Sequence, residues 1–266
     1  MKRFFSVFCV GVAAALAPQL MSAQAFNGGL IGTCVGNCST IGANGDVGLS
    51  GLAGSTAHGY ITTNDGVDAP SNGIGYNLGE ETNGSRWNFS FTTANPNTVL
   101  SFRFNYITSD GAEFTEYAYA QLLQAGNPIA NLFNARTTPT GNTVPGFGLP
   151  IIDAAIIPSS TPIIAGQTNW SPLGGSSGEC WDTGCGNTGW ISMTYNIASA
   201  GTYQLELGVV NWLDANFDSG MAFDFALADG GVPNDPNIVP EPSTYALMAL
   251  GLLGVGGMAR RRRTQA

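Results

Sequence analysis

Asp214, Asn216 and Asp218 alternate along NWLDANFDSGMAFDF, placing three oxygen-bearing side chains at positions 1, 3 and 5 of one tight loop. Calcium takes six to eight oxygen ligands, so these residues are candidate calcium ligands. The loop is not an EF-hand, because Gly220 falls at position 7 rather than 6 and Phe225 stands at position 12 in place of glutamate. The alternative reading is a solvated acidic turn between two strands.

Other chemistry is sparse. The single histidine, His58, lies in the Gly-rich TAHGY stretch, and no Gly-x-Ser-x-Gly elbow presents a serine. Glu80, Glu81, Glu113, Glu116, Glu179 and Glu206 could supply the carboxyl pair of a glycosidase, but no spacing singles out an acid and a nucleophile. A non-catalytic protein is therefore expected, with a secreted hydrolase as the remote alternative. Trp170, Trp181 and Trp212 fall outside the alternating apolar faces and are candidate sugar-stacking residues, weighed against a packing role for each.

The elements that must position these residues have period two. Trp87, Phe89 and Phe91 alternate with polar residues, as do Leu100, Phe102, Phe104 and Tyr106. The same pattern recurs at Ile191, Met193, Tyr195 and Ile197, at Tyr203, Leu205, Leu207 and Val209, and at Met221, Phe223, Phe225 and Leu227. Such alternation marks half-buried strands, and turn residues separate them at Asn95–Asn97, Ser109–Gly111 and Ser199–Gly201. Glu116–Leu123 could be helical, but Tyr117 and Tyr119 favour a strand. The expected fold is all-β, an antiparallel β-sandwich of jelly-roll-like kind.

The two ends read as addresses. Lys2 and Arg3 precede an apolar run from Phe4 to Ala17, and Ala23-Gln24-Ala25 offers a cleavage site before Phe26, the layout of a cleaved signal peptide. At the other end, Ser243–Ala259 carries no charge and Arg260, Arg261, Arg262 and Arg263 follow. That is a short transmembrane helix with a basic stop on the cytoplasmic side. The chain thus divides into a signal peptide (1–25), a Gly/Asn-rich segment belonging to the sandwich (26–75) and a sandwich body (76–231) with a Pro/Ile-rich insertion at 127–170. A linker (232–242), the membrane helix (243–259) and a basic tail (260–266) complete it.

Removing the ends changes the charge. Six of the nine basic residues lie in them, and of 18 acidic residues only Glu241 does, so the body keeps three arginines against 17 acids, a formal charge of −14. Such a body is repelled by nucleic acid and by anionic lipid, which leaves divalent cations or neutral sugars as the partners its charge favours. Cys34, Cys38, Cys180 and Cys185 form two close couples in an exported chain, where disulfides persist. Local pairing, Cys34 with Cys38 and Cys180 with Cys185, is the preferred of three connectivities; a four-thiolate zinc site is the alternative.

Val239-Pro240-Glu241-Pro242-Ser243, the apolar glycine-containing stretch and the arginine cluster together resemble the PEP-CTERM sorting signal of Gram-negative bacteria. The resemblance implies recognition and cleavage by an exosortase, transient inner-membrane insertion, then release to the cell surface or beyond. It also implies a link to exopolysaccharide and biofilm. A second resemblance, to bacterial choice-of-anchor surface domains, rests on FNYITSDGAEFTEYAYAQLL and VVNWLDANFDSGMAFDF, with Ser109-Asp110, Glu113, Glu116 and the later Asp218-Ser219 as the matching positions. Together these imply a surface or extracellular-matrix protein, with a carbohydrate-binding module as the alternative.

Overall fold

The structure, a computed structural model, describes residues 32–52 and 54–227. Its strands are β1 (Gly32–Val35), β2 (Asn37–Ile41), β3 (His58–Thr62), β4 (Val67–Asp68), β5 (Glu81–Thr93), β6 (Thr98–Thr108) and β7 (Tyr117–Gln124). They continue with β8 (Asn127–Arg136), β9 (Ala155–Ile157), β10 (Ile164–Ala165), β11 (Gly186–Asn187), β12 (Ile191–Ile197), β13 (Gly201–Trp212) and β14 (Ser219–Leu227). The signal peptide, linker, sorting motif, membrane stretch and basic tail expected from the sequence lie outside the described residues.

The strands form two antiparallel sheets. One runs β1-β5-β13-β7-β8, with β4 also on β5; the other runs β10-β11-β6-β14-β3-β2, with β12 on β6 and β9 on β12. The chain changes sheet at β1–β2, β3–β4, β5–β6, β6–β7, β8–β9, β12–β13 and β13–β14, so the sandwich is wound in a jelly-roll-like way. The last two strands sit in the middle: β13 lies between β5 and β7, and β14 between β6 and β3.

The alternating residues meet between the sheets. Trp87, Phe89 and Phe91 of β5 and Leu205, Leu207 and Val209 of β13 face Phe102, Phe104, Met221, Phe223 and Phe225 of the opposite sheet in one buried cluster. Burial of each such side chain stabilises the fold by about 1.5–3 kcal/mol. Edge-to-face packing of Trp87 on Phe223, with centroids 5.8 Å apart, adds geometric specificity.

The stretch from 127 to 170, expected as an insertion, opens instead with β8, paired to β7. Its apolar pattern is irregular because the register slips twice, and Leu132 and Phe133 are both buried in the core. Pro128 and these two bulges hide a strand that strict alternation would have exposed. The remainder crosses to the other sheet, where β9 and β10 extend its edge.

Each sheet also carries a smaller cluster on its outer face. Trp170 and Leu173 pack with Val47, Ile107 and Ala222 over β6 and β14. Tyr117, Tyr119 and Val210 pack with Ala69 and Ile74 on the opposite sheet. Disulfides join Cys34 to Cys38 and Cys180 to Cys185, with Cα separations of 6.0 and 5.6 Å. The first does more than stiffen a turn. Cys34 is paired to β5 in one sheet and Cys38 to β3 in the other, so the bridge clasps the corner at Gly36, where φ is +88°.

Candidate functional site

The polar residues of interest gather at one end of the sandwich, where β6 and β13 finish and β7 and β14 begin. Here the Ser109-Asp110-Gly111 turn meets the 213–218 loop. Ser109 donates both its N–H and its hydroxyl to the Asp218 carbonyl, at 3.1 and 2.8 Å. The disulfide loop docks on the same turn: Trp181 N–H donates to the Ser109 carbonyl and Ala112 N–H to that of Thr183, both at 2.9 Å. Two stretches about 100 residues apart thus form one structure.

Glu116 is its buried centre. Its Oε2 accepts hydrogen bonds from Thr108 at 2.9 Å and from Ser219, and its carboxyl is hydrogen-bonded to that of Asp110. Burial, and then the neighbouring charge of Asp110, push the Glu116 carboxyl well above the usual carboxylate range. Burial also raises Asp110, to about 6, with Asp214 adding to the effect. Asn211, near the end of β13, is fully buried with neither amide atom partnered. Pairing of β13 with β7 ends at Val210 and Tyr117, and the register of β13 on β5 shifts between Val210 and Trp212, so Asn211 sits at a bulge. Sequence reasoning passed over Asn211; the signal was a polar residue in an inward slot, two after Val209.

Above these groups opens a cleft of about 150 Å³ lined by Asp110, Phe114, Trp181, Asp214, Asn216 and Phe217. Trp181 is 57% exposed, and its ring lies 5.1 Å from that of Phe217. Phe217 adopts φ of +51°, uncommon for a bulky residue, and this backbone turn brings its ring to Trp181.

The structure does not bring Asp214, Asn216 and Asp218 together as one ligand set. Asp214 accepts both the backbone and the side-chain N–H of Asn216, at 2.9 and 3.1 Å, in a closed local turn. The Asp218 carboxylate accepts from Thr63 at 3.1 Å and Ser176 at 3.0 Å instead, and burial raises its pKa. Gly220 serves packing: a Cβ there would overlap the Trp170 ring.

Of the three tryptophans, only Trp181 offers an exposed face. Trp170 is fully buried against Tyr60 and Leu173, and half-buried Trp212 lies under the Arg136 guanidinium at 4.4 Å. Both supply packing area rather than a sugar platform, because apolar rings beside an open sheet face gain most by covering it. His58 is fully buried, its ring edge-to-face with Trp190 at 5.5 Å and both nitrogens unpartnered, and burial lowers it to about 4. No group of three or more His, Cys, Asp or Glu side chains arranged to hold a metal occurs among the described residues.

Fold and site together define an antiparallel β-sandwich protein with a polar end cleft closed by a disulfide loop. Its C-terminal segment, residues 239–263, matches the PEP-CTERM protein-sorting motif. The chain is therefore an exported protein processed by an exosortase, with a transient membrane anchor in its C-terminal region. No curated protein matches it.

Proposed function

We propose that this is a non-catalytic surface or extracellular-matrix protein of a Gram-negative bacterium, delivered by exosortase processing and associated with exopolysaccharide in a biofilm. The observation that carries the reading is the sorting motif at 239–263. The body supports it: with three arginines and no lysine it avoids polyanions, and its buried His58 is not available as a surface base. The test follows the protein in its own host. With Pro240→Ala, Glu241→Ala and Pro242→Ala combined, the chain should stay membrane-bound at full length, while the native protein is trimmed and recovered with the polysaccharide layer. Native protein that distributes identically in a strain making no exopolysaccharide overturns the matrix role.

A second reading, carbohydrate binding, is favoured by the cleft. Exposed Trp181 backed by Phe217 offers a flat apolar face, and Asp214 and Asn216 beside it offer hydrogen-bonding groups for sugar hydroxyls. A glycan array probed with the native protein and Trp181→Ala tests it. Binding that survives Trp181→Ala removes this cleft from consideration. Hydrolysis of the polysaccharide, lost in Asp110→Asn, would replace both readings with an enzymatic one.

A further inference from the structure

The lining of the end cleft combines two kinds of group. Phe114, Trp181 and Phe217 supply three aromatic rings, Asp110 and Asp214 two carboxyls and Asn216 an amide, and no basic residue is among them. The Trp181 and Phe217 rings meet at 39° with centroids 5.1 Å apart, and Trp181 stays exposed. The three arginines of the body are engaged elsewhere. Arg86 donates to the Gly73 carbonyl and lies 3.8 Å from Glu206, Arg136 rests on Phe147 and Trp212, and Arg103 belongs to β6 outside the lining.

Volume and charge narrow the occupant. At about 150 Å³ the cleft is smaller than the about 300–1,000 Å³ of pockets for drug-sized ligands, so it takes one small ring or head group. Aromatic faces attract cations through the ring quadrupole, and carboxylates beside them add Coulombic attraction. A uronate, sulfate or phosphate group would be repelled by the same carboxylates. A neutral sugar would stack on Trp181 but leave the carboxylates without an opposite charge.

The walls are set before any ligand arrives. Trp181 sits inside the Cys180–Cys185 disulfide loop, and its N–H is fixed at 2.9 Å to the Ser109 carbonyl. On the facing loop Leu213 and Phe217 hold φ of +73° and +51°, a conformation that non-glycine residues keep only where the surroundings over-determine it. Such a preordered site loses little freedom on binding.

We propose that this cleft binds a sugar carrying a protonated amine, its ring stacked on Trp181 and its ammonium held by the aromatic faces and the carboxyls of Asp110 and Asp214. The proposal rests on the carbohydrate-binding reading of the cleft and names its ligand class, a hexosamine unit of a cationic glycan. The body's formal charge of −14 would draw such a polymer in, and the cleft then selects the unacetylated ring.

The full chain, purified in detergent, is titrated calorimetrically with a glucosamine trimer and with its fully N-acetylated counterpart, which has the same rings without the charge. The buffer is at about pH 6, where the amine is protonated, with about 0.15 M NaCl to screen attraction from distant acids. The amine form should bind about tenfold more tightly, the order expected of a cation on an aromatic face beside a carboxylate. Trp181→Ala should abolish binding of both sugars. Asp214→Asn keeps an oxygen to accept the Asn216 N–H, so it should melt like the native protein and bring the two sugars within about twofold. Equal affinities, or tighter binding of the acetylated trimer, overturn the proposal and leave the carbohydrate reading standing. Failure of both trimers overturns it too, and a blank glycan array would then remove the carbohydrate reading with it. A tenfold preference that persists in both Asp214→Asn and Asp110→Asn places the amine on other carboxylates, which equally refutes the assignment.

Discussion

Gly220→Ala should be a severe substitution for a single methyl group. The added Cβ would overlap Cζ3 of Trp170, lie 3.2 Å from Cη2 of the same ring and 3.1 Å from the Ile61 carbonyl oxygen. The indole cannot swing away easily, since it is fully buried with Tyr60 edge-on at 6.0 Å and Leu173 beside it. Nor can the strand, which is paired at Gly220 to Thr62 on one side and Ile107 on the other. Overpacking of this kind costs about 1–3 kcal/mol. The rigid surroundings put it near 2–3 kcal/mol, or a fall in melting temperature of about 4–12 °C. Trp170→Leu alone should cost about 2–4 kcal/mol through the lost ring. In that background Gly220→Ala should be nearly neutral, giving a coupling energy of about 2 kcal/mol in the double-mutant cycle. Urea melts of the four proteins measure it. Additive losses would mean that Gly220 is required by the acidic loop and not by the tryptophan, refuting the packing argument.

Acid should weaken the protein through His58. Its folded pKa of about 4 lies below the unfolded value near 6.5, so the unfolded chain binds the proton more readily and stability falls as pH drops from 6.5 towards 4. The loss should reach about 2–3 kcal/mol, read as the difference in unfolding free energy between native protein and His58→Leu at each pH. Parallel curves would indicate that Asp224, whose carboxylate is engaged by Ser50, turns to pair with the imidazolium. Replacing Cys34 and Cys38 together by serine should lower stability by about 2 kcal/mol, the chain-entropy value for so short a loop. The same change should raise hydrogen exchange in β1 and β2, because the bridge clasps two sheets; exchange confined to the turn would show that it does not.

The sequence alone determined the strands with strict alternation and the address at the C-terminus, because both are local. A side chain's face in a strand depends only on parity, so Phe102, Phe104, Phe223 and Phe225 could be assigned inward from their spacing, and the structure buries all four. A sorting motif is read as linear chain, so Pro240-Glu241-Pro242 needs no fold to be recognised. What tertiary structure decided was which distant residues meet. β8 was hidden because two bulges place Leu132 and Phe133 both inside, a pattern set by pairing with β7 and not by parity. Asp218 is adjacent in sequence to an apparent ligand loop, yet its carboxylate goes to Thr63 and Ser176, 155 and 42 residues away. Ser109 and Asp218 become partners only when the turn after β6 meets the loop after β13. Burial supplies the rest: it leaves one tryptophan of three exposed, and it pushes the Glu116 carboxyl well above the usual carboxylate range, a property that no spacing of letters contains.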